Sequence, residues 1–221
     1  MIQIKIEVRV GEMINITPKI KICGLKRSED IEAANQLLPD FIGFVFWKKS
    51  KRNVEPEQAK LLKDMLDSRI KAVGVFLDAE IKLVINLLKE GVIDIAQLHG
   101  SEDEEYINKV KLETGREVIK AFNVNKLPSL MIAEESPADY IMLDSGTGSG
   151  KAFDHRILSE VRRPFFLAGG LSPDNVKEII SKVHPYAVDV SSGVETDGLK
   201  DPEKMKTFVE ATRDAVSKNR D

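Results

Sequence analysis

Two short apolar runs end in residues that can trade protons. Lys21-Ile22-Cys23-Gly24 carries the chain's single cysteine, and Leu143-Asp144-Ser145 carries a carboxyl. If their surroundings shift the two in opposite directions, a thiolate takes a proton while a protonated carboxyl gives one, which makes a general acid–base pair. Each residue also has an ordinary structural reading. A lone cysteine is commonly a small buried hydrophobe, and an aspartate at a strand end commonly ties a turn. Two further runs end in small residues, Ala168-Gly169-Gly170 and Val190-Ser191-Ser192-Gly193. Their backbone N–H groups are barely shielded by side chains, which suits an anion such as phosphate. A third glycine-rich segment, Gly146-Thr147-Gly148-Ser149-Gly150-Lys151, puts Ala152 where a nucleotide-binding loop needs a hydroxyl, so it reads as a mobile loop over a substrate. No metal is expected, because the three histidines are scattered and no His, Cys or acidic cluster has ligand spacing.

The elements that position these residues follow one repeated pattern. Short runs rich in Val, Ile and Phe alternate with charged segments of helical period. The runs lie at 19–23, 41–46, 72–76, 93–97, 118–121, 140–143, 165–168 and 187–190. The helical segments lie at 28–38, 55–66, 79–89, 103–113, 127–133, 154–161, 173–182 and 202–218, the fifth being the weakest. Ser28 and Ser172 stand where capping hydroxyls would, and Pro56 suits a first helical turn. Strands alternating with helices imply a parallel sheet covered on both faces. An open sheet of this kind typically has about five or six strands, so eight units in about 200 residues favour a closed single-domain α/β architecture, a (β/α)8 TIM barrel. In such barrels the functional site lies at the C-terminal ends of the strands. Cys23, Asp144, both small-residue loops, His99 after the fourth run and Asp189 in the eighth all fall there. Cys23 and Asp144 are expected on opposite sides of the ring, flanking a ligand across its mouth.

The bulk numbers agree with one soluble domain. The chain has 221 residues, 42% hydrophobic and 31% charged, with a formal net charge of -3. That balance points to no nucleic-acid partner and no acidic membrane. A single cysteine rules out an internal disulfide and suits a reducing, cytoplasmic setting. No apolar stretch approaches the ~18 residues of a membrane span. Residues 1–18 stand apart from the 19–221 barrel as an extension. Within them Ile2, Ile4, Ile6, Val8 and Val10 alternate with polar residues, as in an edge strand, an oligomer contact, or an extension preceding a start at Met13.

Taken in order, the strand ends resemble those of phosphoribosylanthranilate isomerases. The matching segments are Lys-Ile-Cys-Gly at 21–24, Gly-Phe-Val-Phe at 43–46 with Ser-Lys-Arg at 50–52, Val-Gly-Val-Phe at 73–76 and Gln-Leu-His-Gly at 97–100. They continue with Leu-Asp at 143–144, Gly-Ser-Gly-Lys-Ala-Phe-Asp at 148–154, Ala-Gly-Gly-Leu at 168–171 and Val-Asp-Val-Ser-Ser-Gly-Val-Glu at 188–195. The resemblance implies an Amadori rearrangement of N-(5'-phosphoribosyl)anthranilate in tryptophan biosynthesis, with no cofactor. Asp144 would protonate the furanose ring oxygen, and Cys23 as thiolate would remove the C2 proton. That requires an acid pushed up in pKa and a thiol pushed down. Arg52 would bind the anthranilate carboxylate through its planar fork, with Lys48, Lys49 and Lys51 a solvated run around it. Asp189 would face the substrate's amine or hydroxyls, and Gln97 and His99 would line the pocket. Phosphate would sit at Gly169, Gly170, Ser191, Ser192 and Gly193. The partner is then this small phosphosugar–anthranilate substrate, and the chain a monomer or homodimer. One departure is His155, where the family commonly shows tryptophan. Another phosphosugar aldose–ketose isomerase relies on two aspartates, against which Cys23 speaks. A silent phosphosugar-binding barrel would have no need to keep Cys23, Asp144 and Arg52 together.

Overall fold

Eight parallel strands, each followed round the ring by the next, close into a barrel in sequence order. The computed structural model describes residues 17–146, 158 and 161–217. The strands are β1 Lys19–Cys23, β2 Phe41–Val45, β3 Lys71–Phe76, β4 Ile95–Leu98, β5 Val118–Asn123, β6 Tyr140–Asp144, β7 Phe165–Ala168 and β8 Ala187–Val190. Closure comes from β1 pairing with β8, where Lys21 lies opposite Asp189, while on its other side Lys21 faces Phe41 of β2. The helices are α1 Ser28–Leu37, α2 Pro56–Asp64, α3 Ile81–Lys89, α4 Glu104–Thr114, the single turn α5 Met131–Glu134, α6 Val176–Val183 and α7 Pro202–Ser217. The expected helix at 154–161, the glycine-rich segment from 147 onward, His155 and the alternating N-terminal run lie outside the described residues, Leu158 and Val161 apart. Among the described residues no helix is long and apolar enough to cross a membrane.

The strands bury both faces, so two apolar layers form. Ile20, Ile22, Ile42 and Phe44 pack outward against the helices. Phe41, Val73, Ile95, Ile119, Met142 and Phe166 fill the barrel interior. At its N-terminal end the rings of Phe41, Tyr140, Phe166 and Tyr186 form a plug, with centroids 5.3 to 5.7 Å apart. Alternation along each strand then places Lys21 and Cys23, Gln97, Asp144 and Asp189 on the interior face above that plug.

Two helix starts differ from the sequence reading. At α1 the cap is a carboxylate: Asp30 Oδ2 accepts from the Lys26 and Arg27 N–H groups at 3.0 and 3.1 Å, while the Ser28 hydroxyl meets only Glu29. A charged acceptor at the positive helix end outcompetes a hydroxyl. At α6 the helix begins at Val176, because the Asn175 side chain bonds the Ser172 N–H (2.8 Å) and the Gly170 carbonyl (2.9 Å), holding residues 170–175 as a turn. A hairpin absent from that reading, β9 Glu195–Thr196 and β10 Leu199–Lys200, turns on Asp197 and Gly198, both at positive φ. The Asp-Gly dipeptide is its visible signal.

Truncating the interior plug tests the packing. Phe166→Ala removes a side chain with no exposure and is expected to cost about 3–5 kcal/mol in denaturant melts. Leu112→Ala, at a side chain 87% exposed, is expected to stay within about 0.5 kcal/mol of the parent. Equal losses would contradict the layer assignment.

Candidate active site

At the C-terminal mouth of the barrel a cavity of ≈ 390 Å³ is lined by Cys23, Arg52, His99, Asp144, Asp189 and the loops after β7 and β8. Of the catalytic, substrate-binding and phosphate-binding residues expected from the sequence, all among the described residues, Gly193 alone is off its wall. A Cβ on Gly193 would collide with the Leu171 carbonyl oxygen, so this glycine lets the β8 loop press against the β7 loop. Cys23 and Asp144 both reach the cavity, but β1 and β6 are separated by β7 and β8 and not set diametrically opposite.

Cys23 lies deep, 8% exposed, beside Gly43, its register partner on β2. Burial pushes its thiol above the ordinary value, against the Lys21 and Lys200 charges that pull it down; Asp189 adds to the rise. The sequence reading expected the reverse. The reason is enclosure: low-dielectric surroundings disfavour a thiolate, and the nearest ammonium, Lys21, is already engaged. Its Nζ donates to Asp189 Oδ1 at 2.8 Å, with the lysine wholly buried. Burial favours the neutral amine, but Asp189 and then Cys23 outweigh it and hold Lys21 above the usual lysine range.

Asp144 also departs from expectation. Burial pushes its carboxyl up, but His99, the Gly146 N–H and Lys21 together hold it below the ordinary carboxylate value. His99 Nε2 stands 3.4 Å from Oδ2, and the Gly146 N–H donates to Oδ1 at 2.7 Å. Gln97 Nε2 lies 3.3 Å from His99 Nδ1, which fits Nδ1 as acceptor and Nε2–H as the donor to Asp144. Gly169 makes room for this arrangement. It sits at φ +96°, and a Cβ there would come 2.7 Å from Asp144 Oδ1.

Arg52 is held by a residue the sequence reading did not assign. Its Nε and Nη2 donate to Glu195 Oε1 and Oε2 at 2.6 and 2.7 Å, a bidentate pair. Glu195 also accepts from Lys200 Nζ at 2.6 Å, and Lys200 donates to the Ser191 carbonyl at 2.9 Å. The Ser191 hydroxyl in turn donates to the Cys23 carbonyl at 2.9 Å. One chain of contacts therefore joins the guanidinium, the β8 loop and the strand that carries the thiol. Glu195 stood in the quoted 188–195 segment, and Lys21 two residues before Cys23 on the same strand face. Those were the available signals. Lys48, Lys49 and Lys51 are exposed, as expected of a solvated run.

The chain is similar to known proteins along most of its length. A family model described as N-(5'phosphoribosyl)anthranilate (PRA) isomerase matches residues 20–211. The chain is 44% identical over 201 residues to the N-(5'-phosphoribosyl)anthranilate isomerase of Endomicrobium trichonymphae, covering 89% of this chain and 98% of that protein. It superposes with a TM-score of 0.77 and 33% identity on a phosphoribosylanthranilate isomerase in complex with reduced 1-(o-carboxyphenylamino)-1-deoxyribulose 5-phosphate, over 89% of this chain and 99% of that one. Monomers generated from the dimeric enzyme of Thermotoga maritima superpose with a TM-score of 0.78 and 34% identity, over 89% and 99% of the two chains.

The contact between His99 and Asp144 has a measurable sign. His99→Ala removes the strongest of the groups that pull the Asp144 carboxyl down. The carboxyl is therefore expected to titrate at higher pH in the variant, read by NMR of isotopically labelled aspartate. An unmoved titration would mean that the 3.4 Å contact carries no charge stabilisation.

Proposed function

The chain belongs to the N-(5'-phosphoribosyl)anthranilate isomerase family and catalyses that family's rearrangement in tryptophan biosynthesis, and we propose that Asp144 is its general acid and Cys23 its general base. One observation carries the assignment. The chain's single thiol and the carboxyl of Asp144 open onto one cavity, between the guanidinium of Arg52 and the small-residue loops after β7 and β8. Asp144 protonates the furanose ring oxygen, opening the sugar to a Schiff base. The Cys23 thiolate removes the C2 proton, and the enolamine so formed tautomerises to the ketone of 1-(2-carboxyphenylamino)-1-deoxyribulose 5-phosphate. One proton enters at the ring oxygen and one leaves C2; in the tautomerisation C1 takes up a proton as the C2 hydroxyl loses one, so the product is an isomer of the substrate.

The resting proton affinities run against this direction, with the thiol high and the carboxyl low. The form that reacts, acid with thiolate, is then a minor one among the protonation states of the pair. An anionic substrate beside Asp144 shifts the balance, because like charge disfavours the carboxylate. The phosphate is placed at the backbone N–H groups of Gly169, Gly170, Ser191 and Ser192, with Gly193 shaping the loop. Arg52 receives the anthranilate carboxylate on the part of its fork that Glu195 leaves, through Nη1. Asp189 and His99 face the sugar and the amine from the cavity wall. The chain acts on this small molecule as a monomer or homodimer, in the cytoplasm, where a lone thiol stays reduced.

Two measurements test the assignment. Cys23→Ala and Asp144→Asn are each expected to lower kcat by about 10²–10⁴-fold with KM little changed. A near-normal kcat in either variant removes that residue from the mechanism. Arg52→Ala is expected to raise KM by the equivalent of roughly 1.5–3 kcal/mol, the worth of a charge-assisted contact. Lys49→Ala, at an exposed side chain, is expected to leave KM nearly unchanged. Equal effects from these two would reduce the basic run to a diffuse positive surface.

A further inference from the structure

A lysine with no exposure lies inside the barrel and is not on the cavity wall, although Cys23 and Asp189 on either side of it are. Lys21 therefore cannot touch a substrate. Nor does its charge come free, since burying an ammonium is costly and an apolar pair of the same volume is often as stable as a buried ion pair. Its surroundings suggest another use. Lys21 and Cys23 are two residues apart on β1 and share the interior face, and Asp189, opposite Lys21 in the register, fixes the ammonium at 2.8 Å.

We infer that Lys21 is the counter-cation of the Cys23 thiolate, a positioning residue seated beneath the thiol and held there by Asp189. The inference rests on Cys23 being the base. It accounts for a base buried deeply enough that its thiol is pushed up by burial, with Lys21 the largest influence in the other direction. The charged groups that act on Cys23 come from several elements. Lys21 is on β1 and Asp189 on β8, Lys200 is on β10, and Arg52 follows β2. Asp144 and His99 act on Asp189 in turn, from β6 and from the end of β4. Lys200 and Arg52 are paired with Glu195 as Lys21 is with Asp189, but Lys21 alone of the three lies on β1, two residues from the thiol on the same interior face. Asp189 works against the thiolate, so Lys21 is the cation whose removal the thiol should feel most.

The chain has one cysteine, so thiolate absorbance and iodoacetamide alkylation report Cys23 alone. Lys21→Gln removes the charge and keeps a donor for Asp189. The Cys23 titration is expected to move to higher pH and alkylation at fixed pH below it to slow by about tenfold, the change in thiolate fraction per pKa unit. Activity should fall in kcat with KM held. An unchanged thiol titration in folded Lys21→Gln overturns the inference. If that variant does not fold, Lys21→Gln combined with Asp189→Asn supplies an uncharged hydrogen-bonded pair. Its thiol should again titrate higher than in the parent, by less, and an equal or lower value overturns the inference. A shifted thiol with unaltered kcat would uphold Lys21 as counter-cation and remove Cys23 as the base, so the two claims fail separately.

Discussion

The Lys21–Asp189 ion pair spans the seam where β8 meets β1 and the ring closes. The first and last strands of the barrel are in register from Lys19 opposite Ala187 to Ile22 opposite Val190, and that register puts the two charges opposite one another. Two buried charges are tolerable only if each finds the other in good geometry, so a slip of one residue by either strand would turn that strand's charge outward and leave the other buried without its partner. Below the pair, the aromatic plug of Phe41, Tyr140, Phe166 and Tyr186 fills the end of the barrel. Above it, the mouth opens to Cys23, His99 and Asp144. The pair thus lies between the aromatic plug and the cavity proposed as the active site.

From that boundary upward the electrostatics grade with depth. Cys23 is the deeper group, and burial is the largest influence on its thiol, pushing it up. Asp144 is nearer the rim, where His99 and the Gly146 N–H compensate its burial and hold it down. Depth and donors together therefore order the two proton affinities.

A second framework ties recognition to that chemistry. Glu195 and Lys200 are cross-strand partners in the small hairpin after β8. The carboxylate between Arg52 and Lys200 fixes a guanidinium on one side and, through Lys200, the carbonyl of Ser191 on the other. Burial pulls Lys200 below the ordinary lysine value against Glu195, a sign of how enclosed this link is. Arg52 is consequently not a free arm of a basic loop. Its orientation is set by the same hairpin that holds the Ser191 loop, so the positions proposed for the two anionic ends of the substrate belong to one connected piece of structure.

Much of this was written in local sequence. Alternating apolar runs and helical segments reported eight βα units, and the end of each run identified the face where Cys23, His99, Asp144 and Asp189 would gather, because a strand's direction alone decides which of its ends faces the mouth. Pro56 at the start of α2 and the weakness of the fifth helix were likewise local facts. What only the tertiary structure decided concerns groups that interact across the ring. β1 reads Lys-Ile-Lys-Ile-Cys and puts Lys21 on the face of Cys23, but the same alternation fits a strand with one side in solvent, so Lys21 is fixed as interior only when β8 brings Asp189 opposite it. The signs of the Cys23 and Asp144 shifts depend on enclosure and on donors from β4 and from beyond β6. Arg52 acquires Glu195 from a residue 143 positions away. Residue types and strand ends are properties of the chain; proton affinities and paired charges are properties of distances, and those exist only once the barrel has closed.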